Sequence, residues 1–382
     1  MSFFRNRAAL IVAGMSLVFS ACSANNAVPS GPSNAASPQS QIAAPAARDA
    51  SPVDTTSILK KLTKDVIVGS TLDPTNGDTG PHSVEIVNTS YVLKKGQLLV
   101  CNFENKAGAA GDGTTIDLFD PTPGSKPVTF TQNSKIEGCD SDAISTANGV
   151  YAGGFTSGVL AAFNDEGTLQ STYGAPIEKP FSNVDASNSN LYQAEYIFTT
   201  DAKTGGLVSF SINDYGNPKP LEVADGFAVN HKPGWGALGP SGIVYNSKAN
   251  VLYIADGVDN TVVAFSNASD LLVQDEIEVL KGGKTFKCKY PSSTCGTLVK
   301  AGAPLDAPVA MTLLPNGNLI VANTGSNTLV ELTPTGQVLD TKVVDNSKTA
   351  GIFGLAASGT SDANTVLFFT DRNTENLQEL EQ

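Results

Sequence analysis

Six apolar, strand-like segments spaced about every fifty residues constrain the fold of this chain more than any other feature. Each segment follows a Gly/Asn turn, and most are followed by a second apolar segment, as in LYIAD and then TVVAF. The six segments end at Asn102, Gly154, Asp201, Asp256, Asn323 and Asp371. Self-similarity at this period, in units made of short strands, is the signature of a β-propeller. We therefore predict an all-β fold with one propeller over residues 58–382.

The number of repeats predicts six blades, each with four antiparallel strands labelled A to D from the channel outward. The fourth blade reads SGIVYN, LYIAD, TVVAF and DEIEVL, with polar turns between the strands. The sixth repeat lacks a fourth strand, whereas residues 59–68 (LKKLTKDVIV) precede the first repeat. We expect this N-terminal segment to complete the last blade and so remove an open sheet edge. The pattern also allows a short helical segment near Asn188 to Gln193.

Residues 1–22 have the features of an export signal, with a basic start, a short apolar run and small residues before Cys22. A cysteine at this point resembles a bacterial lipobox, in which the thiol is lipidated, and Ser23 then favours the outer membrane. Residues 23–57 are rich in Ala, Ser and Pro and predict a disordered tether. Two locations stay open: a lipid anchor on the periplasmic side of the outer membrane, or secretion.

The acidic composition argues against several kinds of partner. The formal charge is −13, which disfavours nucleic acids and anionic lipid surfaces. We therefore expect contact with a membrane only through the lipid anchor, and we expect a monomer. Solubility explains the charge in the simplest way, and cation binding is the more specific alternative.

Four cysteines remain once Cys22 is assigned to lipid, and four cysteines allow three pairings. Cys288 and Cys295 bracket a short loop and are predicted to pair, which leaves Cys101 with Cys139. In a propeller, the D-to-A and B-to-C loops share one face, which we call the upper face; the A-to-B and C-to-D loops form the lower face. Cys101 and Cys139 both reach the upper face in adjacent blades, within disulfide distance.

Two stretches resemble NHL repeats: PSGIVYNSKANVLYIADGVDNTVVAF and PVAMTLLPNGNLIVANTGSNTLVEL. Similar blades occur in gluconolactonase-type propellers, whose metal is held by Asp and Asn at the ends of such strands. Asp256 resembles one of those ligands, whereas Ser241 stands where that family has Asn, and its N-terminal Glu ligand has no counterpart here. The resemblance therefore implies the fold directly and a metal-dependent hydrolase as one possible activity.

Oxygen-bearing side chains at strand ends could converge on one Ca²⁺ at the upper mouth of the channel. The alternative is that each side chain accepts hydrogen bonds from its own turn. The candidate ligands are Asp256, Asp201, Asp371, Asn323, Asn102 and Asp142.

Two long loops are predicted over the same mouth, and their aromatic and basic side chains suit a sugar or peptide ligand. The first is ADGFAVNHKPGWGALGP, and the second runs from Lys281 to Pro304. The candidate ligand-binding residues are Trp235, His231, Phe227, Tyr290, Lys289, Phe286, His82 and Ser241. Two plainer interpretations stay open: Trp235 plugs the channel, and His231 is an exposed bystander.

The sequence contains no motif that indicates nucleophilic catalysis: it has no nucleophile elbow, no phosphate loop and no zinc-protease helix. We predict an exported propeller that acts as a binding scaffold for an envelope protein or a small ligand. The alternative is a Ca²⁺-dependent lactonase or hydrolase. The sequence favours the scaffold over the enzyme.

Overall fold

The computed structural model describes residues 53–187, 195–212 and 219–382, and these residues form a six-bladed β-propeller. The predicted signal peptide, the predicted lipidation site Cys22, most of the predicted tether and the predicted helix near Asn188 to Gln193 lie outside the described residues. No helix in the described part of the chain is long and apolar enough to cross a bilayer.

Each blade has four strand positions; the inner position of blade 1 is divided between two short strands, and blade 3 carries two additional strands. In the order A to D, the strands of blade 1 are Thr79–Pro81 with Glu85–Ile86, Leu98–Glu104, Ala110–Phe119 and Val128–Gln132, and those of blade 2 are Cys139–Ile144, Val150–Gly154, Val159–Phe163 and Leu169–Tyr173. Blade 3 consists of Pro180–Ser187, Glu195–Asp201, Gly206–Ser211 and Leu221–Asp225, extended by Ile277–Leu280 and Thr285–Cys288, and blade 4 of Pro240–Asn246, Val251–Asp256, Thr261–Ser266 and Gly296–Ala301. Blade 5 consists of Pro308–Leu313, Leu319–Asn323, Thr328–Leu332 and Val338–Val343, and blade 6 of Ile352–Ser358, Val366–Asp371, Asn376–Glu381 and Lys64–Ser70. The described 3₁₀ helices are Leu59–Lys61, Ser134–Ile136, Gly234–Gly236, Ala268–Asp270 and Asp362–Asn364.

The ring closes through the N-terminal segment, as the sequence predicts. Lys64–Ser70 pairs antiparallel with Asn376–Glu381 and forms the outer strand of blade 6. Just before this strand, the amides of Ile58 and Leu59 donate hydrogen bonds to the Glu331 carboxylate at 3.1 and 2.9 Å. The N-terminal segment therefore supplies a strand to blade 6 and is also held by hydrogen bonds to blade 5.

The apolar core lies between neighbouring blades because successive residues on a strand point to opposite faces of its sheet. In blade 1, Leu98 and Val100 pack toward blade 6, whereas Leu99 and Cys101 pack toward blade 2. Both faces of the inner strands are buried, which explains why these strands read as continuous apolar runs rather than as an alternating pattern.

The prediction for the outer strand of blade 4 is wrong. The segment DEIEVL does not pair within that blade, because Ile277–Leu280 runs parallel to Leu221–Asp225 and extends blade 3. The outer strand of blade 4 is instead Gly296–Ala301, which pairs with Thr261–Ser266. The insertion therefore lies between strands C and D of blade 4, and not between blades 4 and 5.

Both predicted disulfides are present. Cys101 pairs with Cys139 across blades 1 and 2, with 5.2 Å between their Cα atoms, and Cys288 pairs with Cys295 at 5.5 Å. The first bridge joins two blades inside a buried cluster, and the second closes a loop at the rim.

We expect the two disulfides to contribute unequally to stability. Chain-entropy estimates give about 4 kcal/mol for a loop the size of the one closed by Cys101 and Cys139, and about 2.5 kcal/mol for the small loop closed by Cys288 and Cys295. Alanine pairs at each bridge, compared by urea denaturation, should therefore show the larger loss for Cys101→Ala with Cys139→Ala. Equal losses would contradict this ranking.

Candidate functional site

An apolar layer closes the channel beneath the upper face. Phe103, Phe155, Phe181 and Phe353 pack together there, with the half-buried Trp235 packed against the cluster. Phe155 meets the rings of Phe103 and Phe181 edge-on at centroid distances of 5.7 and 6.4 Å. A ligand on this face therefore meets a surface and not an open hole.

The loop of residues 226–239, here called the Trp235 loop, reaches from blades 3 and 4 across this layer. Asn230 fixes its shape, because its side-chain oxygen accepts from the Leu238 amide at 2.9 Å and its side-chain nitrogen donates to the Gly236 carbonyl at 3.0 Å. A Cβ atom added at Gly234 would lie 3.0 Å from the Cβ of Ala110, so the loop touches blade 1. Trp235 packs against the phenylalanine cluster that closes the channel, as expected if it helps to plug the upper mouth.

Two cationic side chains lie over aromatic rings of this surface. The Arg372 guanidinium carbon is 4.8 Å from the centre of the Trp235 ring, and Arg372 Nε donates to Glu104 Oε1 at 2.5 Å. Lys179 Nζ is 4.5 Å from the centre of the Phe155 ring. Cation–π contacts of this kind hold a charged group in a fixed position. Arg372, Glu104 and Lys179 could not be predicted as site residues, since nothing in their local sequence pattern marks them.

Most of the predicted calcium ligands at the ends of the B strands already accept hydrogen bonds from backbone amides. Asp201 accepts four backbone amides at 2.6–3.0 Å, from Glu178, Lys179, Lys203 and Thr204. Asp256 and Asp371 likewise accept from the turns that follow them, Asp256 from Val258 and Asp259 and Asp371 from Asn373. Asn323 instead accepts from the Asp306 amide, 17 residues earlier in the loop between blades 4 and 5. Asn102 differs, because it donates to Asp117.

Burial raises the pKa of Asp256 to about 6, and the turn amides work against that rise. The capping alternative accounts for hydrogen bonds of three of the six candidates, Asp201, Asp256 and Asp371. Within the described residues, no three or more His, Cys, Asp or Glu side chains are grouped so as to bind a metal ion.

Three predicted ligand-binding residues have structural roles instead. Phe227 is 4% exposed and packs 6.3 Å from the Phe265 ring, between blades 3 and 4, and Phe286 meets the same ring edge-on at 6.2 Å. Ser241 is fully buried and donates to the Pro308 carbonyl at 2.6 Å, which joins blades 4 and 5.

The part of the second predicted loop that carries Tyr290 and Lys289 does not lie on the Trp235 face, which corrects the prediction for these two residues. Strand directions explain why: Thr285–Cys288 runs antiparallel to Ile277–Leu280, so the chain has returned to the lower face when it reaches Cys288. Tyr290 and Lys289 follow that point and are exposed at the lower rim, with Lys289 bonded to Gln274. Of the predicted ligand-binding residues, His231 is the exposed one in the Trp235 loop. Its backbone has a positive φ of 51°.

His82 lies just under the apolar layer and is held on three sides. Its ring stacks between Phe103 and Phe353, each at 4.1 Å, and its Nδ1 is 2.6 Å from Asp140 Oδ1. Burial raises the pKa of Asp140, and the neighbouring His82 works against that rise. The Nε2 atom of His82 has no hydrogen-bond partner among the described residues.

Asp142 lies in the channel on the same strand as Asp140, two residues further on. It is 4% exposed, and neither of its carboxylate oxygens has a hydrogen-bond partner among the described residues. Burial is the main cause that raises its pKa, to about 7. Asp140 and Glu85 were missed by the sequence analysis, although carboxylates at alternate positions of a channel strand are a signal that could have found Asp140.

Solved β-propellers resemble this chain at low identity. Virginiamycin B lyase from Staphylococcus aureus matches with 14% identity and a TM-score of 0.50, over 84% of this chain and 98% of that one. A gluconolactonase from Xanthomonas campestris matches with 11% identity and a TM-score of 0.51, over 79% and 86%. A nidogen/laminin complex matches with 12% identity and a TM-score of 0.50, over 75% and 87%.

Neither a protein-family model nor a curated protein sequence matches this chain. At identities this low the structural likeness establishes the propeller fold alone, because propellers serve both enzymes and binding proteins.

Proposed function

We propose that this protein is a binding module that recognises a small ligand or an envelope protein on the upper face, around Trp235. One observation carries the proposal: the Trp235 loop holds an aromatic ring and the Arg372 guanidinium together over a closed apolar layer. Trp and Arg dominate the binding energy of many protein interfaces, since they combine a large apolar area with directed hydrogen bonds.

The point at which the chain enters the propeller supports the use of this face. Ser57 donates to Glu331 at 2.6 Å, and the Thr56 carbonyl accepts from Asn316 in the A-to-B turn of blade 5. That turn belongs to the lower face. Residues 56 and 57 therefore meet the propeller on the face opposite Trp235. We propose an exported, lipid-anchored or secreted protein, and the two disulfides fit an oxidising compartment.

A Ca²⁺-dependent lactonase is the weaker candidate. Its proposed ligands would have to release backbone amides that now bond to Asp201, Asp256 and Asp371. The Trp235 loop would also have to leave the mouth before a substrate could reach the channel.

Trp235 is the only Trp of the chain, so its fluorescence reports directly on the proposed surface. We expect one member of a panel of D-gluconate, cellobiose and short peptides, or a membrane extract fraction, to change the emission in a saturable way. Arg372→Gln should weaken that binding by about 2 kcal/mol, or roughly 30-fold. Lys348→Gln, at an exposed lysine of the same face, serves as the matched control.

The proposal fails if no probe changes the emission and if Trp235→Ala retains the same envelope proteins as the unchanged chain in a pull-down. Equal losses in Arg372→Gln and Lys348→Gln would indicate a diffuse charge effect rather than a defined surface.

A further inference from the structure

The central channel below the apolar layer has two chemically different walls. The A strands line a cavity of about 60 Å³. Blades 1 and 2 contribute Ser83, Glu85, Asp140 and Asp142 to its lining. Blades 4 to 6 contribute Ile243, Met311 and Leu355. Polar groups are thus concentrated on one side of a small, enclosed space.

Several polar atoms on this wall have no hydrogen-bond partner among the described residues. They are both carboxylate oxygens of Asp142, the hydroxyls of Ser83 and Ser141, and Nε2 of His82. A buried polar group without a partner costs about 1–3 kcal/mol, so native proteins seldom leave one unmatched. Several such atoms around one cavity indicate that the cavity holds a polar occupant.

The charge of the wall selects the sign of that occupant. The carboxylates of Glu85 and Asp142 both line this one small cavity, which brings two like charges into the same space. His82 is the only basic side chain in the lining, and it is already bonded to Asp140. A positively charged occupant would therefore relieve the repulsion between the two carboxylates.

The occupant would enter from the lower face. His82, Asp140 and Asp142 are each only 4% exposed, whereas Glu85 and Asp185, nearer the lower end, are half-buried. The Glu85 side chain lines the cavity and is partly exposed to solvent, so solvent reaches it along the channel. The upper end is closed by Phe103, Phe353 and their neighbours.

We propose that this cavity binds one small cation, held mainly by the carboxylates of Asp142 and Glu85. Because the described residues offer no cluster of three metal-binding side chains, the further ligands would be the hydroxyl of Ser83 and water. Hard cations accept such mixed oxygen ligands, and a water molecule occupies about 30 Å³, so the cavity has room for an ion with its water. A metal ion and a small alkylammonium share this chemistry, and the apolar wall would suit the second.

The test uses the full chain after treatment with a chelator. Melting temperature and calorimetric binding would be measured with CaCl₂, MgCl₂, KCl and methylammonium chloride at constant ionic strength. We expect a saturable response to at least one of these cations. In Asp142→Asn and in Glu85→Gln, the affinity should fall at least tenfold. Asp256→Asn, at a carboxylate that caps its own turn, should respond like the unchanged chain.

Each other outcome overturns the proposal. No saturable response to any of the four cations would mean that water or protons fill the cavity. A response that survives both channel substitutions, or that only Asp256→Asn abolishes, would locate the cation elsewhere. If Asp142→Asn does not fold, Glu85→Gln decides, since its side chain lies nearer solvent. Binding of ligands to Trp235 is measured separately by fluorescence, so either idea can fail alone.

Discussion

A chain that lacks residues 58–70 is expected not to fold. The deletion removes the outer strand of blade 6, Lys64–Ser70, and four fully buried side chains, Ile58, Leu59, Leu62 and Val68. Burial of one such side chain contributes about 1.5–3 kcal/mol, so the loss is on the order of 6–12 kcal/mol. A domain is usually stable by about 5–15 kcal/mol, which leaves little or no net stability.

The deletion also removes two hydrogen-bond donors to Glu331, the amides of Ile58 and Leu59. Glu331 is fully buried and also accepts hydrogen bonds from Ser57 and Asn318. Circular dichroism and protease resistance would measure the result, with the longer deletion of residues 23–50, outside the propeller, as the control. We expect the control to melt like the complete chain. A folded protein without residues 58–70 would refute closure by the N-terminal strand as the basis of stability.

The second large effect is a fall in stability as the pH rises from about 5 to 8, caused in part by Asp117. This side chain is fully buried, and burial raises its pKa to about 8, with Asp73 next to it as a further cause. Burial also opposes ionisation of Asp73, but hydrogen bonds from Thr129, Asn76 and Thr75 outweigh it and lower the pKa of Asp73. The folded protein therefore keeps a proton on Asp117, next to an ionised Asp73.

The sign follows from proton counts. Between pH 4 and 8 the folded state holds a proton on Asp117 that the unfolded chain, with an Asp pKa near 3.9, has lost. Stability then falls with rising pH, by up to about 1.4 kcal/mol per pH unit for this group. The stabilisation that protonated Asp117 gives the folded state is complete below about pH 4 and is lost as the pH rises through about 8.

Asp117→Asn should flatten this dependence, because an amide imitates the protonated acid: it can accept from Asn102 and donate to Asp73. Urea denaturation at half-unit steps from pH 5 to 8.5 would measure the slopes. Asp270→Asn, at an exposed position, is the control and should keep the slope of the unchanged chain. Identical slopes for Asp117→Asn and the unchanged chain would contradict the assignment.

The site was harder to predict than the fold, and particular residues show why. Asp201 and Asp256 carried the right chemistry for a metal ligand, but their turn amides lie within two or three residues and reach the oxygens first. Trp235 was identified because it is a rare residue in a long loop. Its partner Arg372 lies more than a hundred residues away and was not. Tyr290 was assigned to the wrong face because the hairpin before it pairs with blade 3 rather than with blade 4.

The sequence alone determined the number of blades, the closure by residues 59–68 and both disulfides. These features depend on local strand and turn patterns repeated at a fixed period, which chain order preserves. Tertiary structure alone decided the path of Ile277–Leu280, the closure of the upper mouth and the grouping of Glu85 with Asp142 in the channel. Those features depend on contacts between different blades, and no local pattern records which side chains meet when six sheets are arranged around one axis.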